Sequence, residues 1–176
     1  VGFIGWTGGV VLVTCDGLAA SYCEISYNSD DGTGGNSVSN YVYEYCDVSW
    51  NGTRRARSVG EVLADGDAIS THLNSPGGVI RFCYFEGNLK AAIDCIQVSS
   101  LVADSNTIVN CNFNILNIAD AGTTQTFTNN EIWVGVDDLG GAGINQAGTT
   151  NLWANTFSGS LVGGVVGITT ATGTVD

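Results

Sequence analysis

Acid–base side chains occur in two stretches rich in glycine and charged residues, residues 26–37 and 50–68. Two neighbouring carboxylates can act as general acid and general base on a glycosidic bond. Asp30 and Asp31 could also hold a Ca²⁺ ion, because carboxylate oxygens are its preferred ligands. No other cofactor is expected. The candidates for catalysis are four aspartates and the one histidine of the chain: Asp30, Asp31, Asp65, Asp67 and His72.

The second stretch holds three of the five cationic residues, Arg54, Arg55 and Arg57. They are the candidate ligand-binding residues, because guanidinium groups bind anionic groups through paired hydrogen bonds. Alternatively, they neutralise nearby acids in a solvated loop, where each ion pair contributes about 0–1 kcal/mol. His72 has two interpretations as well, since a lone histidine beside a turn is more often structural than catalytic. These alternatives stay open.

The elements that must position these residues form an internal repeat. Six copies share one pattern: an apolar residue, two intervening positions, a cysteine or asparagine, one residue and another apolar residue. Successive copies are 23, 37, 23, 24 and 25 residues apart, so one step contains an insertion. A fixed period of this size predicts a solenoid, in which each repeat packs on its neighbours. The repeated cysteines and asparagines are Cys23, Cys46, Cys83, Asn106, Asn130 and Asn155.

On both sides of the repeated cysteine or asparagine, apolar and polar residues alternate as they do in β-strands. One residue must turn the chain between two short strands. Asparagine suits this position because it tolerates the left-handed conformation and its amide can hydrogen-bond to the next coil. We therefore expect a ladder of asparagines, which the cysteines continue as small buried residues. The apolar residues two positions later should form one core column: Ile25, Val48, Phe85, Ile108, Ile132 and Phe157.

A second asparagine recurs at Asn28, Asn51 and Asn88. Asn51 begins a sequence that fits the N-glycosylation motif. Because it shares its position in the repeat with two other asparagines, we interpret it as a structural turn residue.

The turn pattern of asparagine, one residue and an apolar residue resembles that of the right-handed parallel β-helix of the pectate-lyase-like superfamily. The resemblance extends from about Val10 to about Ile168. It implies an all-β fold, a single-stranded right-handed parallel β-helix of about six or seven coils. Residues 1–176 should form one such domain, as part of a longer chain or assembly. A β-sandwich is the alternative, but its turns would be spaced by 8–12 residues and would not need one residue type six times.

In such a helix, loops that follow equivalent strands emerge on the same side. Any site should lie on the edge built from residues 28–37 and 51–67. The resemblance offers no complete catalytic motif. Polygalacturonase-like hydrolases combine an Asp-Asp pair with Gly-His-Gly and Arg-Ile-Lys, and this chain has Asp-Asp pairs only. The loops expected along the shared edge are 28–37, 51–66 and 135–143.

The charge of the chain limits its partners. It carries 5 Lys and Arg against 17 Asp and Glu, a net charge of −12. Nucleic acid is excluded, because no basic stripe is present to replace phosphate counterions. An anionic polysaccharide would need a bridging cation, so a neutral glycan or a protein partner fits better. No run of 18 apolar residues exists, and no membrane span is expected.

The regular repeat, the acidic charge and the incomplete motifs favour a structural or carbohydrate-binding module. The resemblance implies a virion surface, such as a phage tailspike, fibre or capsid, or another extracellular surface protein. It also implies a homotrimer. The alternative is a polysaccharide lyase or glycoside hydrolase, so the sequence leaves open whether the chain is an enzyme.

Overall fold

The computed structural model describes residues 1–6, 8–52, 66–96, 100–111, 116–118, 124–134, 144–146, 149–159 and 172–175. Regular secondary structure in these ranges is all β-strand, and they contain no helix long and apolar enough to cross a membrane. In chain order the strands are β1 (Gly2–Ile4), β2 (Val10–Asp16), β3 (Ala19–Ser21), β4 (Glu24–Ser26), β5 (Thr33–Ser39), β6 (Val42–Glu44), β7 (Asp47–Ser49), β8 (Ile69–His72), β9 (Gly78–Arg81), β10 (Tyr84–Glu86), β11 (Ile93–Ile96), β12 (Ser100–Asp104), β13 (Thr107–Val109), β14 (Leu116–Ile118), β15 (Thr124–Thr128), β16 (Glu131–Val134), β17 (Ile144–Gln146), β18 (Thr149–Trp153), β19 (Thr156–Gly159) and β20 (Thr172–Val175).

The strands stack into three parallel sheets. Sheet A has the order β1-β4-β7-β10-β13-β16-β19, sheet B the order β17-β14-β11-β8-β5-β2, and sheet C the order β20-β18-β15-β12-β9-β6-β3. Neighbours in a sheet come from successive coils, so each coil contributes one strand to each sheet. This arrangement is the all-β parallel solenoid that the repeat predicts, and it excludes a β-sandwich, whose strands are antiparallel.

The predicted core column lies in sheet A. Its residues are direct register partners on successive strands, from Ile25 through Phe85 to Phe157. Ile25, Val48, Phe85, Ile108 and Ile132 are each at most 1% exposed. Burying one such side chain stabilises the fold by roughly 1.5–3 kcal/mol. The column therefore fixes the register of the solenoid, as the sequence predicts.

The predicted ladder lies at the corner between sheets C and A. The side-chain oxygen of Asn106 accepts a hydrogen bond from the backbone N–H of Cys83 at 3.0 Å, and Asn130 accepts one from Asn106 at the same distance. The amide of each asparagine donates to a carbonyl of an earlier coil, as Asn106 does to Ile80 at 2.9 Å. The Cys46 thiol makes the equivalent contact with Ala20, at 3.5 Å. Asparagine and cysteine therefore occupy one continuous ladder.

The turn at this corner differs from the prediction in one respect. The ladder residue does not take the left-handed conformation itself; the residue before it does, with φ between 51° and 54°. The ladder side chain can then point inward and bond to the neighbouring coils, while the side chain before it points outward. The left-handed residues at this corner are Tyr22, Tyr45, Phe82, Ser105, Asn129 and Ala154.

A second ladder lies at the corner that follows sheet A. Asn51 accepts hydrogen bonds from the backbone and side-chain nitrogens of Asn28, and Asn88 accepts the same pair from Asn51 at 3.1 and 3.0 Å. Cys111 continues it, because the Asn88 amide reaches its sulfur at 3.7 Å. Asn51 is 0% exposed, which agrees with a structural role.

Candidate functional site

Four charged residues meet on the outward side of sheet B. We call Asp67, His72, Lys90 and Asp94 the charged cluster. His72 is the last residue of β8, and Asp94 lies on the neighbouring strand β11, where it pairs with Ser70. Asp67 and Lys90 precede these two strands by a few residues. The stacking of two coils thus brings together residues from separate parts of the sequence.

Lys90 links the two carboxylates. Its Nζ is 2.9 Å from Oδ2 of Asp67 and 3.3 Å from Oδ2 of Asp94. Asp67 is held from a second side, because the backbone N–H of Ala91 donates to its Oδ1 at 2.7 Å. The backbone N–H of Asp67 in turn donates to Oδ1 of Asp31 at 2.9 Å. The cluster is therefore rigidly positioned by side-chain and backbone bonds.

The four side chains of the charged cluster differ in their exposure to solvent. The side chains of Asp67 and Asp94 are 1% and 0% exposed, whereas those of Lys90 and His72 are 30% and 35% exposed. Among the described residues, Oδ1 of Asp94 has no hydrogen-bond partner, and an unpaired buried carboxylate oxygen is costly. A ligand approaching the cluster would meet Lys90 and His72 first.

The pKa values of Asp67 and Asp94 are shifted in opposite directions, so the two carboxyl groups differ in protonation state. Burial, together with the nearby charge of Asp94, raises the pKa of Asp67 to about 7. Burial also opposes ionisation of Asp94, but contact with His72 and the positive Lys90 outweigh it, so the pKa of Asp94 lies below its usual value. The Asp94 carboxylate raises the pKa of His72. Asp67 can therefore carry a proton near neutral pH beside an ionised Asp94.

Ser70, His72 and Asp94 do not form a nucleophilic triad. Ser70 Oγ lies 3.1 Å from Nε2 of His72, and Oδ2 of Asp94 lies 3.6 Å from the same nitrogen. A triad needs the serine and the aspartate on opposite nitrogens of the ring, so that one orients the base that the other uses. The cluster is suited to proton transfer, not to covalent catalysis by Ser70.

The structure brings together some of the site residues predicted from the sequence but not others. Asp31, Asp67 and His72 lie together, but Asp30 is exposed and takes part only through its carbonyl, which accepts a hydrogen bond from Gly52. In the described part of the chain, no three His, Cys, Asp or Glu side chains are arranged to hold a metal, so Ca²⁺ stays a prediction. Four candidates lie outside the described residues: Arg54, Arg55, Arg57 and Asp65.

Sequence reasoning missed Lys90 and Asp94. Asp94 lies between Ile93 and Cys95, and both neighbours are 0% exposed. Strict alternation along this strand would have placed Asp94 on the outward side. Lys90 is the one lysine of the chain, and its position four residues before a strand aspartate was the available signal.

A second candidate surface lies on the outward side of sheet A in the first coils. We call it the aromatic-edged face. Its first edge is a stack of left-handed corner residues, in which Tyr22 and Tyr45 have ring centres 4.9 Å apart and Tyr45 and Phe82 5.0 Å apart. Tyr22 is 71% exposed and Phe82 43%. The outward strand positions between its edges hold Glu24, Asp47, Tyr84 and Glu86, and beside them Ser26 and Ser49, which are buried.

The second edge of this face consists of Tyr27 and Trp50, which precede the asparagines of the second ladder. Tyr27 is 62% exposed and Trp50 45%. Both have positive φ, 57° and 59°. The Trp50 ring lies over Gly87 in the next coil, where an added Cβ would come within 2.5 Å of it. Gly87 therefore makes room for the ring.

The aromatic corner residues are conformationally strained. A left-handed backbone costs an ordinary residue roughly 1–2 kcal/mol, and bulky residues are uncommon there. Further along the same two corners the left-handed residues are not aromatic, and two of them, Asn110 and Asn129, are of the type that tolerates this backbone best. Strain of this kind tends to occur at functional surfaces, so the aromatic-edged face is a candidate binding surface.

Comparison with known proteins identifies the architecture. No curated protein and no solved structure matches the chain. Residues 3–162, however, match the family model described as the right handed beta helix region. This range contains both ladders, the core column, the charged cluster and the aromatic-edged face. The chain belongs to the right-handed β-helix family.

Proposed function

We propose that the chain is a carbohydrate-binding β-helix module of an extracellular or virion surface protein, and that the aromatic-edged face is its binding surface. The observation that carries this proposal is the row of exposed aromatic residues at strained corners, beside strands that expose the carboxylates of Glu24 and Asp47 and the side chain of Tyr84. Aromatic rings offer apolar surface to the C–H groups of a sugar, and the polar strand positions offer hydrogen bonds to its hydroxyls.

The rigidity of the solenoid supports this proposal. Each coil is hydrogen-bonded to the next along all three sheets, so the aromatic side chains are held at a fixed spacing of about 4.8 Å per coil. Such stacked repeats build extended binding surfaces. The net charge of −12 opposes a polyanionic ligand, which leaves a glycan without acidic groups, or a protein partner, as the occupant. The homotrimer is part of the same proposal.

The test is a titration of the purified protein with a glycan panel, followed by Trp50→Ala. Removing Trp50 should weaken binding roughly tenfold or more, as expected for a central aromatic contact. Trp153→Ala is the matched control, because Trp153 is 50% exposed but lies on β18 in sheet C. Equal affinity of both variants and the parent would rule out the aromatic-edged face. Light scattering of the same preparation measures the oligomeric state.

A second candidate function is a polysaccharide hydrolase or lyase that uses the charged cluster. The specific observation is the pair Asp67 and Asp94, whose pKa values are driven apart, Asp67 to about 7 and Asp94 below its usual value. Such a separation assigns a proton donor and an ionised partner. Both carboxylates are buried, so a substrate would have to displace Lys90 or His72 to reach them. Binding at the aromatic-edged face needs no such rearrangement and is therefore preferred.

The enzyme alternative is tested by assaying reducing-sugar release and unsaturated-uronate absorbance over the same panel, with and without Ca²⁺. Activity that disappears in Asp94→Asn but persists in Asp104→Asn would establish it. Asp104 is a suitable control because it lies on β12 in sheet C and bonds to Thr128 and Asn129. Absence of turnover by the parent protein on every glycan would rule out the alternative.

A further inference from the structure

Two carboxylates face each other on the aromatic-edged face. Glu24 on β4 and Asp47 on β7 are register partners on neighbouring parallel strands, and both side chains are exposed. Neighbouring strands are about 4.8 Å apart. Like charges at directly opposed positions destabilise a sheet. On the next strand β10 the register partner of Asp47 is Tyr84, and a third carboxylate, Glu86, follows two positions later on the same side of the sheet.

These carboxylates have neutral hydrogen-bond partners. Ser26 donates to Glu24 at 3.0 Å, Ser49 donates to Asp47, and the Tyr84 hydroxyl donates to Glu86 at 3.0 Å.

The cationic side chains that the structure describes are engaged elsewhere. Arg81 pairs with Glu44, and Lys90 pairs with Asp67 and Asp94. Within the described ranges, no Lys, Arg or His pairs with a carboxylate of the aromatic-edged face. Among the described residues, its negative charge therefore has no cationic partner.

We propose that the aromatic-edged face binds a glycan that carries protonated amino groups, of the kind found in polymers of glucosamine. This inference rests on the proposed function and specifies its ligand. Ammonium groups would form charge-assisted hydrogen bonds with Glu24, Asp47 and Glu86, and they would also be attracted to the neighbouring aromatic rings. A glycan lying along the solenoid axis would meet the carboxylates of successive coils at successive sugar units.

Two other occupants explain the face less well. A bound metal would need more ligands, and among the described residues no group of three or more His, Cys, Asp or Glu is arranged to hold one. A neutral glycan would stack on the aromatic rings but would leave the repulsion between Glu24 and Asp47 in place. A cationic glycan matches both the aromatic edges and the charge between them.

The experiment is a calorimetric titration with three probes: a glucosamine hexamer, its N-acetylated counterpart and cellohexaose. At low salt the glucosamine hexamer should bind roughly tenfold more tightly than the other two. Its advantage should shrink at high salt, because exposed charges are screened. It should also disappear at a pH where the sugar amines are uncharged.

Two variants localise the effect. The double variant Glu24→Gln, Asp47→Asn keeps side-chain shape, and it should lower affinity for the glucosamine hexamer roughly three- to tenfold, as expected for two surface ion pairs. Glu131→Gln is the matched control, because Glu131 lies in the same register column on β16, where the preceding corner residue is Asn129 and not an aromatic residue.

The outcomes separate this inference from the proposed function. If cellohexaose or the N-acetylated probe binds as well as the amine, or if the double variant keeps the preference, the inference is overturned while glycan binding stands. Displacement of the bound hexamer by an equal concentration of a lysine peptide would also overturn it. If no probe binds, the inference fails, and failure over the whole glycan panel overturns the proposed function too.

Discussion

At the scale of single residues, the charged cluster shows what a sequence can and cannot reveal. The candidates Asp31, Asp67 and His72 follow from residue type and from their position beside the insertion. Lys90 and Asp94 lie one regular step after Asp67 and Ser70, 23 and 24 residues further on. They were missed because residue type and spacing do not show that the two coils enclose buried carboxylates at this point. The protonation states depend on burial and on Lys90, and neither is visible in the order of amino acids.

The raised pKa of Asp67 predicts how stability depends on pH. Its folded pKa of about 7 lies above the usual 3.8, so between these values the folded state binds more protons than the unfolded state. His72, also raised, acts in the same direction, since its contribution is present below its unfolded pKa and is lost as pH rises through its folded pKa. The free energy of unfolding should therefore fall as pH rises from 4 to 6, by on the order of 1–3 kcal/mol. Above pH 6 the Cys46 thiol acts in the opposite direction, because a hydrogen bond with Cys83 lowers its pKa to about 6.

Urea unfolding at a series of pH values measures this dependence. Asp67→Asn, which cannot titrate, should flatten it over the range 4 to 7. Asp16→Asn is the control, because Asp16 is exposed and has a pKa lowered by hydrogen bonds from Ser39 and Asn40, so its contribution to stability is constant above about pH 4 and is lost only as pH falls further. Stability that rises between pH 4 and 6 would contradict the assignment.

At the scale of elements, the repeat could be predicted from the sequence because equivalent positions in successive coils have the same structural role. The column through Phe85 and the ladder through Asn106 were both predictable from spacing, since every coil must bury the same position and bond at the same corner. The positions of the left-handed residues could not be predicted from spacing. Tyr22 and Trp50 are poor candidates for that conformation by propensity, and only the backbone shows that they adopt it.

The second ladder predicts the cost of losing one amide. Asn51→Ala would leave the Asn28 backbone N–H and the Ile25 carbonyl without their side-chain partner. Each buried polar group that loses its partner costs roughly 1–3 kcal/mol. We expect a loss of roughly 2–4 kcal/mol in the free energy of unfolding. Asn36→Ala, at an exposed strand position, should change it by less than about 0.5 kcal/mol.

Chemical denaturation followed by circular dichroism measures both variants. A cost below about 1 kcal/mol for Asn51→Ala would mean that this ladder adds little stability to that of the core column and the sheet hydrogen bonds.

At the scale of the whole molecule, the solenoid separates stability from function. Each coil packs on the next through the core column and the ladders, while the corners and outward strand positions are free to vary. The aromatic-edged face and the charged cluster occupy different sheets, A and B, so the two candidate functions can be tested independently. The sequence predicted the scaffold, and a site on the edge beside the insertion stays a prediction. The sequence did not predict the aromatic-edged face, because this face depends on two corners coming to flank one narrow sheet.

Deleting residues 53–65 tests this separation. The described neighbours of the insertion, Gly52 and Gly66, lie against each other, since a Cβ built on either glycine would be 2.9 Å from the Cα of the other. The deletion shortens the 37-residue step between Cys46 and Cys83 to 24 residues, the length of the regular coils. Because a solenoid coil packs only on its neighbours, the free energy of unfolding should change by no more than about 1 kcal/mol. The affinity of the shortened protein for glycans, measured with the same panel, should stay within about twofold of that of the parent protein. If the shortened protein folds but no longer binds, the site lies on the edge built from residues 28–37 and 51–67, and not on the aromatic-edged face. If it does not fold, the insertion belongs to the core.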